Sequence, residues 1–277
     1  MIAIARMTIR EALRKKLLAA ALLLAIVFLA LFGTGLYFAG REIALTEGTP
    51  RFVRSAAHGQ LTSFGFYLAS FIMAFLAIFS AIGTISAEVE NGLLHAIIPR
   101  PIRRIEIVLG KFIGHSVVIA GFGLLIFSAI AILVKMTLGF YLNNIPQALL
   151  LFILQAILLL AVSMLGTTFL PTLGNGVAVF LLYAVALIGG FVEQIGAMFT
   201  SRVAVNLGII ISLIMPSDAI YRKVVSLVLP AAINLLPQAM GPFASISTPS
   251  PWMIVYSIGH VIFVLASAIY IFNRRDI

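Results

Sequence analysis

Gly110-Lys111 is the nearest this sequence comes to a nucleotide-binding loop, and the likeness fails on both sides. A phosphate-cradling loop needs a glycine five residues before Gly110, where Ile105 stands, and a Ser or Thr after the lysine, where Phe112 stands. His58, His95, His115 and His260 are too widely separated for H-E-x-x-H or a comparable metal spacing, and no G-x-S-x-G nucleophile motif occurs. Cysteine is absent, which removes disulfides, thiol chemistry and thiolate metal sites. His115 and His260 fall in apolar runs, where a hydrogen bond to a neighbouring helix is the expected role. No catalytic residue, metal or cofactor is therefore expected in this chain. One stretch does concentrate functional groups. Glu88 to Lys111, EVENGLLHAIIPRPIRRIEIVLGK, gathers four basic and three acidic residues in a chain that is only 10% charged.

The elements around that stretch must be membrane helices. Hydrophobic residues make up 62% of the 277 and the mean hydropathy is +1.17, which excludes a water-soluble domain. Residues 17–40, 59–87, 112–134, 136–192 and 224–273 contain no Asp, Glu, Lys or Arg. Each run is long enough for the roughly 20 apolar residues that cross a bilayer. The N-terminal run is too long for a secretory signal and reads as an uncleaved span. The net charge of +9 is read as cytoplasmic anchoring and attraction to anionic lipid, not as nucleic-acid binding.

The spacing predicts one all-α membrane domain with six spans at about 17–38, 64–87, 112–134, 147–170, 177–192 and 252–272. Arg6, Arg10 and Arg14 fall on one side of an interfacial helix over 1–16. Residues 41–58 read as an ordered loop. Pro171-Thr172-Leu173-Gly174-Asn175-Gly176 is a turn between the fourth and fifth spans. Residues 193–251, interrupted by six prolines, suit short outer-surface or re-entrant helices. With the N-terminus inside, eleven basic residues are cytoplasmic and seven are outside, so both termini are placed in the cytoplasm. Gly110 and Gly114 form a G-x-x-x-G that offers a helix contact, within a dimer or otherwise.

No predicted span contains an acidic or basic residue, which weakens a proton-coupled mechanism and suggests that energy comes from another chain. An ion-coupled carrier remains an alternative, since sodium sites built of carbonyls leave no charge in the sequence; a membrane enzyme is a third.

Within the charged stretch, Glu88 and Glu90 suit the start of a short helix, whose macrodipole favours carboxylates there. Leu93, Leu94, Ile97 and Ile98 form its apolar face, Pro99 and Pro101 stop it, and Arg103, Arg104 and Glu106 open the next helix. The stretch resembles the signature of type-2 ABC exporter permeases, E-x-E-x-G-T-L, then P-x-S-R-x-E-I, then L-G-K. Glu88, Glu90, Gly92, Leu94, Pro101, Arg104, Glu106, Ile107, Leu109, Gly110 and Lys111 match it without a gap, while Leu93 and Arg103 replace the usual Thr and Ser. The opening IARMTIREALRKK and the ending FNRRDI are similar to the family's ends, and LIMPSDAIYRK looks most like permeases associated with maturation of copper enzymes such as nitrous-oxide reductase.

The resemblance implies a permease of a prokaryotic plasma membrane, paired with a second permease copy and with two cytoplasmic ABC ATPase subunits that hold ATP and magnesium. The segment 88–104 would be the coupling helix, carrying Glu88, Glu90, Gly92, Leu93, Leu94, Ile97, Ile98, Pro101 and Arg104 to the ATPase. Glu106 and Lys111 would act beside it. The turn with Pro171 and Gly174 would be a second contact, and 193–251 would face any extracytoplasmic partner.

Overall fold

A computed structural model describes residues 1–45, 50–84, 86, 103–230 and 245–274 of the chain. The described residues form nine α-helices and no strand: α1 (Ile2–Arg14), α2 (Lys16–Leu45), α3 (Arg51–Ala81), α4 (Arg104–Leu138), α5 (Ile145–Gly166), α6 (Thr172–Met198), α7 (Arg202–Ile214), α8 (Ser217–Val228) and α9 (Trp252–Arg274). Six of them, α2 to α6 and α9, are long and apolar enough to span a bilayer, and counting the bent pair α7 and α8 as one broken span would make seven. The chain is a six-span all-α membrane protein. The end of the bundle where α1 lies is called the near end below, and the end where α6 meets α7 the far end.

The helices overrun their charge-free runs, because backbone hydrogen bonds continue past the hydrocarbon into the interface. The expected loop over 41–58 is largely helical: α2 runs to Leu45, and α3 starts at Arg51 behind Pro50, a residue whose missing N–H costs nothing at a helix start. At its other end α3 stops at Ala81, short of Ala87, where Gly83 adopts a left-handed φ of 74° that a helix interior cannot hold. The turn expected over 171–176 lies earlier, at 167–170. Pro171 caps the start of α6, and Gly174 and Gly176 are already helical.

The centre of the bundle is α5. Phe152 on it meets Phe66 of α3 and Phe127 of α4, with ring centroids 4.8 Å apart for Phe66 and Phe127 and 5.7 Å for Phe127 and Phe152. Leu158, Leu159, Leu160 and Ala161 are fully buried beside them. By contrast α2 and α9 turn Leu23, Ile26, Leu31, Val255, Ile262 and Phe263 outward, as lipid-facing surfaces do. The G-x-x-x-G of α4 is filled from within the chain. A methyl group built on Gly110 or Gly114 would lie 2.8 Å from Ile4 or 2.6 Å from Thr8, so α1 occupies the groove through its small buried residues Ala5, Thr8 and Ala12. The contact is intramolecular and is not a dimer seam.

Gly114→Leu should therefore overpack this crossing and cost about 1–3 kcal/mol, as extra methylenes in a filled core do. Gly121→Leu on the same helix, at an exposed position where an added Cβ would meet nothing within 4 Å, should be nearly neutral. Thermal unfolding of the purified variants in detergent compares them; equal midpoints would remove the packing argument.

Candidate functional site at the two ends of the bundle

The near end is where sequence reasoning placed the partner contacts. Glu88, Glu90, Gly92, Leu93, Leu94, Ile97, Ile98 and Pro101 lie outside the described residues, whereas Arg104, Glu106, Lys111, Pro171 and Gly174 lie within them. All five are at helix beginnings or within two turns of them, on α4 and α6.

Their neighbours explain the residue types. Lys111 is buried, and its Nζ donates to the carbonyl of Thr84, just past the end of α3, where main-chain acceptors have lost their helical partners. The Thr84 hydroxyl lies 3.4 Å from Nε2 of His115 one turn further along α4. Arg104 Nη1 donates to the carbonyls of Phe272 and Asn273 at 3.0 and 3.3 Å, and its guanidinium sits over the Phe272 ring, so it closes the end of α9. Glu106 accepts from the ammonium of Met1 at 3.3 Å. Glu11 on α1 pairs with Lys15 at 2.9 Å. Burial alone would push the Glu11 carboxyl up, but the Lys15 hydrogen bond and the charges of Lys15 and Lys111 hold it below the ordinary value. The signature residues thus fasten α1, α3, α4 and α9 together at one end.

The exit of α3 and the entry to α6 are also joined there. The hydroxyls of Ser86 and Thr172 are 3.0 Å apart. Asn175 Nδ2 donates to the Ser163 carbonyl at 3.0 Å, and the Ser163 hydroxyl donates to the Ile78 carbonyl at 3.2 Å, so α5, α6 and α3 share one polar tie. Around this tie Phe169 and Leu173 stand exposed.

The far end holds a cluster that sequence reasoning missed, and it corrects the expectation that no span carries a charge. Helix α6 continues past Val192 to Met198, so Glu193 belongs to a spanning helix. Its partner is Arg222 of α8, almost fully buried, whose Nη1 and Nη2 donate to Oε1 and Oε2 of Glu193 at 2.6 and 2.7 Å. Arg222 Nε donates to Asp218, one turn earlier on α8, at 2.9 Å. The remaining Nη hydrogens reach the Ser247 carbonyl at 3.0 Å and the Ser212 hydroxyl of α7 at 3.4 Å. Burying such charges without partners costs several kcal/mol each, and the fork of the guanidinium is what matches them.

Two devices deliver these groups. α7 doubles back along α6, because Gly189, Gly196 and Gly208 leave room for Ile211, Ala204 and Glu193. The chain then bends by 108° into α8, and Asp218 fills the space that a side chain at Gly190 would need. Residues 246 and 247 are drawn in by Oε1 of Gln194, which accepts from both backbone N–H groups at 2.9 and 3.1 Å, and the Ser247 hydroxyl donates to Glu193 at 2.7 Å. The signal was present in the sequence as Asp218 and Arg222 at i and i+4 inside a long apolar region, with Glu193 closing a charge-free run. Among the described residues no three of His, Asp and Glu come together as a metal site.

Arg222→Leu should destabilise the protein by roughly 3–5 kcal/mol, since it strands two buried carboxylates. Replacing Glu193, Asp218 and Arg222 together with leucine should cost less than Arg222→Leu alone. Thermal unfolding in detergent reads both, and a triple variant weaker than the single one would refute the desolvation account.

Comparison with known proteins agrees with this architecture. A family model described as ABC-2 family transporter protein matches residues 2–277. A protein of Pseudomonas aeruginosa described as a probable ABC transporter permease protein NosY is 35% identical over 126 residues, 43% of this chain and 42% of that one. The protein of the same description from Stutzerimonas stutzeri is 33% identical over 138 residues, 48% of this chain and 46% of that one. The matched region thus spans less than half the length of either relative.

Proposed function

Because the chain belongs to the ABC-2 family of transporter proteins, we propose that it is the permease subunit of an ATP-driven exporter whose ATPase is a separate polypeptide. That partner carries ATP and magnesium; this chain supplies the membrane path and receives force. The observation that carries the reading is the 3.0 Å contact between Ser86 and Thr172. It sets the exit of α3, from which the segment 88–102 departs, against the entry to α6, so both of the contacts expected for an ATPase start from one place. The exposed Phe169 and Leu173 supply apolar surface beside it.

In this reading Leu93, Leu94, Ile97 and Ile98 seat in the ATPase. Glu88, Glu90, Gly92 and Pro101 shape that segment, and Arg104, Glu106 and Lys111 transmit its displacement into α4 and, through their ties, into α1, α3 and α9. Pro171 and Gly174 serve the second contact. The near end faces the cytoplasm of a prokaryotic cell: Arg6, Arg10, Arg14, Lys15, Lys16, Arg103, Arg104 and Arg274 gather there, and the bacterial relatives support the setting. A second copy of the chain would complete the path. The apolar groove between α3 and α6, walled by Phe75, Phe79, Ile82, Val177 and Phe180, is the surface we assign to it. The 193–251 segment faces outward, towards any extracytoplasmic partner, and the likeness to the two NosY permeases favours that branch of the family.

Leu94→Asp and Ile97→Asp should each weaken co-purification with a co-expressed partner ATPase by more than about tenfold, because a carboxylate buried in an apolar contact costs more than about 1.4 kcal/mol. Unchanged binding together with unchanged ATP-dependent transport would reject the docking assignment. Transport driven by a sodium or proton gradient in vesicles lacking the ATPase would move the chain to the ion-coupled class.

A further inference from the structure

A cavity of about 380 Å3 opens at the far end between α7 and α9. Its floor is made by Glu193 and Arg222, with the hydroxyls of Ser212 and Ser247 beside them. Its sides are Leu213 and Ile209 of α7 against Met253 and Tyr256 of α9, and Trp252 stands exposed at its mouth. Tyr256 donates a hydrogen bond to the Leu213 carbonyl and so fixes the two walls to each other. Polar floor, apolar sides and an indole at the rim are the layers an amphiphile would meet head first.

The charges decide which head group fits. Two carboxylates, Glu193 and Asp218, stand against two cations, Arg222 and Lys223, the latter held on the Pro249 carbonyl at 3.1 Å in the cavity wall. The site therefore has no surplus charge to recruit an ion. All five N–H groups of Arg222 are engaged, so a phosphate or carboxylate would have to displace Glu193 to be gripped. What stays open is hydroxyl chemistry. Ser247 donates to Glu193 and keeps its lone pairs, Ser212 accepts from Arg222 and keeps its hydrogen, and Thr248 and Ser250 add hydroxyls nearer the mouth. An uncharged group with several hydroxyls can exchange donors and acceptors with these, while the indole of Trp252 and the ring of Tyr256 offer flat faces for its C–H side.

We propose that this cavity binds the uncharged, polyhydroxylated head group of an amphiphile from the far leaflet, with its chain along Ile209, Leu213 and Met253. The proposal does not depend on the ATPase reading.

Trp252 is the sole tryptophan of the chain, so its emission reports on the mouth directly. The full chain is reconstituted in phosphatidylcholine vesicles and titrated with submicellar octyl glucoside, octyltrimethylammonium, octyl sulfate or methyl glucoside. The expected result is a saturable emission change with octyl glucoside, at half-saturation about tenfold lower than for either charged amphiphile, and no saturation with methyl glucoside in the same range. Ser250→Phe, on the exposed rim, and Ser212→Leu, in the floor, should each abolish the saturable part and leave only linear partitioning. Should Ser212→Leu fail to fold, Ser250→Phe still decides the point. Equal responses to the three amphiphiles, or saturation that survives Ser250→Phe, would overturn the site. Saturation by methyl glucoside at the same concentrations would overturn the assignment to an amphiphile.

Discussion

Hydrocarbon cannot hydrogen-bond, so a polar side chain buried in a membrane bundle must find its partner inside the protein, and the backbone carbonyl, with two lone pairs, is the acceptor always at hand. Much of this chain's sparse polar complement serves that demand across helices. Lys111 reaches Thr84, Arg104 reaches Phe272 and Asn273, Asn175 reaches Ser163, Ser163 reaches Ile78, and Tyr221 reaches Ser63 at 2.8 Å. Each contact sends a side chain from one helix to the backbone of another. The carbonyls of Thr84, Phe272 and Asn273 lie at or past helix ends, whereas those of Ser163 and Ile78 already accept from Thr167 and Ile82 and take a second donor, and Ser63 lies inside α3. Apolar packing fills the interior, but packing among lipid-like surfaces is weakly directional. These ties supply the register that packing alone leaves loose.

The two ends meet the demand differently. At the near end separate side chains each reach one or two acceptors, so each helix is fastened by one or two bonds. At the far end one guanidinium serves two carboxylates, a hydroxyl and a carbonyl, gathering α6, α7, α8 and the residues just before α9. A lysine in place of Arg222 would offer three donors from a point and could not answer both oxygens of Glu193 while holding Asp218. The near end is thus an assembly of separable fastenings, and the far end is a single node.

The six spans and their order were legible because long charge-free runs are a local property of a sequence. The helix ends were less so. Arg51 to His58 is polar yet helical, since a helix may leave the hydrocarbon without breaking. Residues 172–176 are helical although Gly174 and Gly176 read as turn formers, since close packing also calls for glycine. Gly110 and Gly114 announced a close contact correctly but could not say that α1 fills it. The Glu193, Asp218 and Arg222 cluster was hardest. Its members are separated along the chain, and only the doubling back of α7 shows that Arg222 answers both carboxylates in apolar surroundings.

Arg104 also ties the beginning of α4 to the last residues of α9, a separation of 168 positions for Phe272 and 169 for Asn273. Chains are made from the N-terminus onward, so those two acceptors arrive only after α5 to α8 have been made. Until then α4 sits in the membrane with part of its anchorage still to come. A ribosome that stopped before α9 would release a chain able to insert most of its helices but not to close the near end, where α3 stops and α4 begins. The arrival of α9 is thereby registered, by one guanidinium, at the end of the bundle where α1, α3 and α4 are fastened.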